Sequence, residues 1–111
     1  MEQIFIDETF DKKDFEDSPL ARGEYENCIF KHCDFSNTDL SEIIFLECEF
    51  IDSNLSLVKL TKTAFRDVKF KDSKMLGLHF ENCDEFGLSF SFEKCSLNHS
   101  SFYQLKTILN F

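Results

Sequence analysis

Cys28 and Cys33 stand on either side of His32, and Asp34 follows at once, in the stretch YENCIFKHCDFSNTDL that runs from residue 25 to 40. Thiolate, imidazole and carboxylate are the donors that hold zinc, and a thiol beside an imidazole is the pairing of nucleophilic catalysis. A redox pair is a third chemistry open to the same residues. Spacing argues against all three. None of the five cysteines forms a CxxC pair, so neither a zinc knuckle nor a disulfide framework is supported. Asp34 and Asp39 lie five residues apart without the shared, desolvated setting that paired acid–base work requires. The chain also lacks a glycine-rich phosphate loop, a nucleophile elbow and a plausible triad. The expectation is therefore no catalytic residue, no cofactor and no metal.

What positions these residues is a repeat. Reading every fifth residue from Phe5 gives Phe10, Phe15, Leu20, Tyr25, Phe30, Phe35, Leu40, Phe45, Phe50, Leu55, Leu60, Phe65, Phe70, Met75 and Phe80, all large and apolar. With apolar residues at 42% of the chain, chance would produce that run about once in a million sequences if positions were independent. Neither a 3.6-residue helix nor a two-residue strand predicts such a spacing. Two positions before each of these centres, from Ser18 to Cys83, no residue is charged and most are small; Cys28, Cys33, Cys48, Val58, Val68 and Cys83 are among them. Residues two apart on extended backbone point the same way. Each pentapeptide thus sends one large and one smaller residue inward, and the charges fall on the other three positions. The expected architecture is an all-β solenoid whose sides are five residues long and whose coils are stable only when stacked.

The series from Cys28 to Met75, with NTDL at 37–40, SNL at 53–55 and the FxxCxF forms Phe30–Phe35 and Phe45–Phe50, resembles the pentapeptide-repeat family, and its quinolone-resistance members in particular. The resemblance implies a right-handed quadrilateral β-helix with four pentapeptides per coil. Residues twenty apart then stack at about 4.8 Å, placing Phe10, Phe30, Phe50 and Phe70 in one column. In that frame Cys28 and Cys48 are one coil apart, near enough for a disulfide to be conceivable, although a reducing compartment favours free thiols. Family members are commonly longer, so the chain reads as an abbreviated one, by nature or by truncation.

The spacing fails at Glu85, where a centre is due, and resumes two residues late with Phe92, Leu97 and Phe102, preceded by Phe90, Cys95 and Ser100. A two-residue insertion at 84–87 explains both phases. The single domain, 1–111, then divides into an irregular N-terminal cap over 1–18, regular coils over 19–83, a break over 84–91, resumed repeats over 92–102 and a cap or interface segment over 103–111. Gln3, Glu8 and Lys13 at inward small positions argue for the irregular start, and Leu105, Ile108 and Leu109 have helical spacing at the end.

The formal net charge is -9, and it is uneven: residues 1–55 carry 15 acidic and 4 basic residues, residues 56–111 carry 6 and 8. Direct nucleic-acid binding is not expected of such a chain. The N-terminus has neither the basic nor the apolar region of a secretion signal, and no stretch reaches the length of a membrane span, so a soluble cytoplasmic protein without membrane contact is expected. The candidate partner surface comprises a belt of Lys59, Lys62, Arg66, Lys69, Lys71 and Lys74 together with Asp34, Asp39 and Glu49. The favoured reading is a non-catalytic scaffold that binds an unidentified protein, with a homodimer through the C-terminal end as a further open outcome. The resemblance adds a second reading, a DNA mimic that binds DNA gyrase or topoisomerase IV and protects it from fluoroquinolones. Five coils span about 25 Å, or one net charge per about 2.8 Å against one per ≈ 1.7 Å of duplex, and the belt interrupts the likeness. A third reading is a shortened repeat protein with no independent activity.

Overall fold

The computed structural model describes residues 3–105 and 108–110. Its strands are short, three to five residues, because each side of the coil offers few extended residues before a corner. β1 (Gln3–Ile6), β3 (Gly23–Glu26), β5 (Ile44–Leu46) and β7 (Ala64–Arg66) form one parallel sheet, which lines side A. β2 (Thr9–Asp11), β4 (Ile29–Lys31), β6 (Glu49–Ile51), β8 (Val68–Lys71), β9 (Ser89–Glu93) and β10 (Ile108–Asn110) follow one another in the parallel sheet of side B. Sides C and D are bends held by isolated bridges, such as Asp34 to Asn54 and Asp39 to Lys59. The result is a right-handed β-solenoid of about five turns with a four-sided cross-section.

Three features of each pentapeptide build this coil. The centre fills the interior: Phe30, Phe35, Leu40, Phe45, Phe50, Leu55, Leu60, Phe65, Phe70, Met75 and Phe80 are all buried, while Phe10, at the open front end, is half-buried. Rings stack along the axis, with Phe10–Phe30 and Phe30–Phe50 centroids 4.8 Å apart and Phe50–Phe70 5.2 Å, and meet edge to face across it, as Phe45 meets Phe50 at 5.3 Å and 70°. Both are the arrangements that the quadrupole of an aromatic ring favours.

The small inward residue does more than fill space. Cys48 donates its thiol to the Tyr25 carbonyl at 3.1 Å, Thr63 its hydroxyl to Leu40 at 2.8 Å and Ser100 to Met75 at 2.8 Å. Cys28, Cys33, Ser53, Ser73 and Cys95 make the equivalent bond to the coil before. Where the position holds Cys, Ser or Thr, its S–H or O–H satisfies a carbonyl of the coil before; Ile43, Val58, Val68 and Leu78 fill it by packing alone. Thr63→Val keeps the shape and removes the donor, so a loss of about 1 kcal/mol is expected in urea unfolding; no loss would leave the position's preference to size alone.

The corner residue, two after the centre, is left-handed. Every fifth residue from Asn27 to Asp72 has a positive φ, between 46° and 65°, and Gly77 continues the series. Asn, Asp and His tolerate this region best, which accounts for Asn27, His32, Asn37, Asp52, Asp67, Asp72 and His99. Leu57 (φ 61°) does not belong to that group and is 60% exposed, so it gains little burial in return. Leu57→Asn is expected to raise stability by up to about 1 kcal/mol; an unchanged or lower thermal midpoint would show that its packing over Gly77 matters more.

The two-residue shift is visible in the register. Val68 pairs with Phe90 and Phe70 with Phe92, so the fifth coil is stacked at an offset of 22 residues on side B. Residues 84–88 form a loop that closes with an amide-to-carbonyl bond from Leu88 to Glu85 and replaces a strand at the end of side A. At the N-terminus the structure corrects an expectation. The segment read as an irregular cap through residue 18 contains β1 and β2, both in full register with the next coil, Phe5 on Tyr25 and Phe10 on Phe30. Gln3, Glu8 and Lys13 are tolerated at inward positions because this end of the coil is open and they stay exposed. At the C-terminus the helical spacing of Leu105, Ile108 and Leu109 gives way to a strand, β10, because the free edge of β9 offers backbone partners. Residues 106, 107 and 111 of the C-terminal segment lie outside the described residues.

Candidate partner-binding surface

The stretch that first suggested chemistry is divided by the coil. Cys28 and Cys33 point inward and are buried; His32 is a corner residue whose Nδ1 lies 2.9 Å from Asp52 of the next coil. Asp34 accepts the Ser36 amide at 2.9 Å and the Ser36 hydroxyl at 2.6 Å, closing its own turn. Asp39 accepts the Ser41 amide at 2.9 Å, Asn54 the Ser56 amide at 3.0 Å and Asp84 the Phe86 amide at 3.1 Å. These are Asx turns, and they give Asp34, Asn54 and Asp39 a structural task on sides C and D, and Asp84 one in the loop at the end of side A. Asp39 is held below the usual carboxylate range by hydrogen bonds from Ser41, against an upward push from burial, with Lys59 and Arg22 adding lesser attractions. Two of the nine candidate surface residues, Asp34 and Asp39, are thus turn-forming groups.

All five cysteines are free. Burial pushes the thiols up, Cys48 and Cys83 to about 12. An unfolded thiol ionises near 9, so below pH 9 both states keep the proton and the contribution to stability is complete. Above it the unfolded chain releases a proton that the fold retains, and stability falls between pH 9 and 12. Urea midpoints are expected to agree at pH 7 and 8.5 and to drop at each step above 9.5, less steeply in a Cys48→Ala, Cys83→Ala variant. A midpoint unchanged up to pH 11 would contradict this.

One cluster was not anticipated. His79 Nδ1 lies 3.1 Å from Ser101 Oγ and 3.4 Å from Glu81, and the Ser101 hydroxyl is 2.8 and 2.9 Å from the two Glu81 oxygens. Twenty-residue counting stacks His79 on His99; the two-residue shift puts Ser101 there instead. Burial pushes the Glu81 carboxyl up, but hydrogen bonds from Ser101 and the backbone hold it below its usual range. The residue types are those of a triad, the geometry is not. A relay places hydroxyl and carboxylate on opposite imidazole nitrogens, whereas here both face Nδ1. Among the described residues no group of three or more His, Cys, Asp or Glu is placed to hold a metal ion. The open first coil has a cup of about 280 Å³ lined mainly by Phe5, Phe10, Phe15, Pro19, Leu20 and Tyr25, with Lys13 and Asp14 its only charged residues among those described.

The charges sort by side. Lys59 is on side D and Lys62 at its corner, Lys69 and Lys71 are on side B, Lys74 is on side C and Arg66 is on side A. The belt is therefore a ring around the rod and leaves no single basic patch. Lys59 stacks on Asp39 and Lys69 on Glu49, one coil apart. Arg66 is tied down: its Nη2 lies 3.4 Å from Asp84, its Nε donates to the Phe86 carbonyl at 3.1 Å, and its guanidinium carbon sits 5.2 Å from the Phe86 ring centroid. Glu24 and Glu26 project from β3 between them and the front end. No helix of the described residues is long and apolar enough to cross a membrane.

A family model described as pentapeptide repeat region matches residues 23–102. The pentapeptide repeat protein MfpA of Mycolicibacterium smegmatis is 46% identical over 41 residues, which is 37% of this chain and 22% of MfpA. The solved structure of full-length QnrB1, described as a plasmid-mediated fluoroquinolone resistance protein, superposes with a TM-score of 0.65 at 20% identity, covering 90% of this chain and 49% of QnrB1. The likeness to QnrB1 is one of fold. The match to QnrB1 spans about half of that protein's length, and the match to MfpA about a fifth of its own.

Proposed function

The chain belongs to the pentapeptide-repeat family, and from that premise we propose that it is a non-catalytic, cytoplasmic scaffold that binds a protein partner through the outward residues of its coil. The observation that carries this reading is the division of labour within each pentapeptide. Two residues in five build a solid interior, and the other three are presented on a rigid lattice with a rise of about 4.8 Å. Such a lattice fixes the spacing of side chains before any partner arrives, which lowers the ordering cost of binding.

A second reading, topoisomerase binding by DNA mimicry with protection from fluoroquinolones, draws support from the fold shared with QnrB1 and from the acidic first coils. The belt weighs against it, since its cations ring the rod and break the acidic run on all four sides. A supercoiling and cleavage assay on DNA gyrase and topoisomerase IV, with and without a fluoroquinolone, separates the two. Inhibition or protection at micromolar protein assigns the partner as a topoisomerase. No effect retires that reading and leaves the general scaffold, which is tested by cross-linked capture with Lys69→Glu and Lys71→Glu; an identical set of captured proteins would exclude side B from the binding surface.

A further inference from the structure

Side A carries outward apolar residues in register with acidic ones in two neighbouring columns, whereas side B has one such pair, Ile29 on Glu49. Ile4 pairs with Glu24 and Glu24 with Ile44; Ile6 pairs with Glu26 and Glu26 with Leu46. The surface is therefore a grid of three rows, Ile4 and Ile6, then Glu24 and Glu26, then Ile44 and Leu46. Ile4 and Ile6 are 61% and 56% exposed, and Phe86, at the far end of the same side, is 76% exposed. Isolated surface hydrophobes need no explanation, but ordered rows of them mark contact sites.

We propose that side A is the docking surface for an amphipathic helix of a partner protein, one with apolar residues seven apart and Lys or Arg at the third or fourth position between them. This rests on the scaffold reading and names the partner's chemistry. The two apolar rows are two coils apart, about 9.6 Å at a rise of 4.8 Å. Seven residues of α-helix advance about 10.5 Å, so a heptad pair of apolar residues spans the rows and places a basic residue over the glutamates midway. An extended strand repeats the same face every 6.4–6.8 Å, which matches neither one row nor two. Strand addition is also closed to the middle of this sheet, because β3 and β5 are already paired on both edges. Arg66, the one cation on the side among the described residues, is engaged by Asp84 and the Phe86 carbonyl, so the glutamate row presents uncompensated negative charge. That charge selects a basic protein segment over nucleic acid or an anionic lipid surface.

The test uses the full chain and a fluorescently labelled 18-residue helical peptide of about this design, with a scrambled peptide of identical composition as control. The ordered peptide is expected to bind at least about tenfold more tightly than the scrambled one. Glu24→Lys with Glu26→Lys, and separately Leu46→Asn, should weaken it about tenfold without moving the thermal midpoint, since all three side chains point away from the core; Lys69→Glu with Lys71→Glu on side B should leave it unchanged. Equal binding of both peptides, or equal loss in the side B variant, would reduce the effect to net charge and overturn the proposal. A dimer by light scattering that Leu46→Asn dissolves would assign the side to a second copy and overturn it as well. If the peptide fails while Glu24→Lys with Glu26→Lys still removes a captured cellular partner, the helix proposal falls and the scaffold reading stands.

Discussion

Phe50→Ala is expected to lower the free energy of unfolding by about 3–5 kcal/mol. Phe50 is wholly buried, stacks on Phe30 at 4.8 Å and on Phe70 at 5.2 Å, and meets Phe35 and Phe45 edge to face at 5.7 and 5.3 Å. Removing the ring takes four aromatic contacts at once, beyond the transfer free energy of its area. The neighbours cannot collapse into the space, because each is fixed by its own column and by backbone bonds on both coils, such as Glu49 amide to Cys28 carbonyl and Asp52 amide to Lys71 carbonyl. Urea unfolding of the purified variant measures the loss; a value below about 1 kcal/mol would contradict a filled interior.

Gly23→Ala is expected to act locally and strongly. A Cβ at position 23 would lie 2.3 Å from the Gln3 carbonyl oxygen, a backbone atom that cannot turn aside. Gln3 and Gly23 are register partners, so the only relief is for β1 to withdraw from β3. Overpacking of this kind costs about 1–3 kcal/mol. The first coil is paired on one face alone, so the cost should fall there: amide exchange of residues 3–11 should accelerate sharply while residues 44–71 keep their protection. Uniform acceleration throughout would mean that the first coil does not open separately from the rest.

The contrast between these two sites shows what the amino-acid sequence makes legible. The column of Phe50 follows from counting by fives and twenties, because a period of five with two inward positions has few structural solutions. The close approach at Gly23 does not follow from counting, since it depends on how tightly β1 lies against β3. The same limit applies to the surface. Asp34 and Asp39 read as partner-facing charges because their position is outward; that each closes an Asx turn depends on the backbone of sides C and D, which pattern alone does not distinguish from the strands of sides A and B. Summing charge over halves of the chain suggested a belt across the rod. Assigning each residue to its column spreads the belt over four sides and leaves Ile4, Ile6, Glu24, Glu26, Ile44 and Leu46 as an ordered patch. An edge strand is specified by the backbone it meets, and Ile108–Asn110 finds its partner in β9, which no residue spacing encodes. His79, Glu81 and Ser101 meet only through the 22-residue offset, so no fixed spacing in a single coil reveals them.

The central claim is that the interior builds the rod and the outward residues of one side do the binding. The most direct measurement is cross-linked capture from cell extract, by mass spectrometry, with the unmodified chain, the Glu24→Lys, Glu26→Lys variant of side A and the Lys69→Glu, Lys71→Glu variant of side B, at matched thermal midpoints. The account predicts one partner, or one set, that disappears in the side A variant alone. The same partners recovered with all three proteins would contradict it.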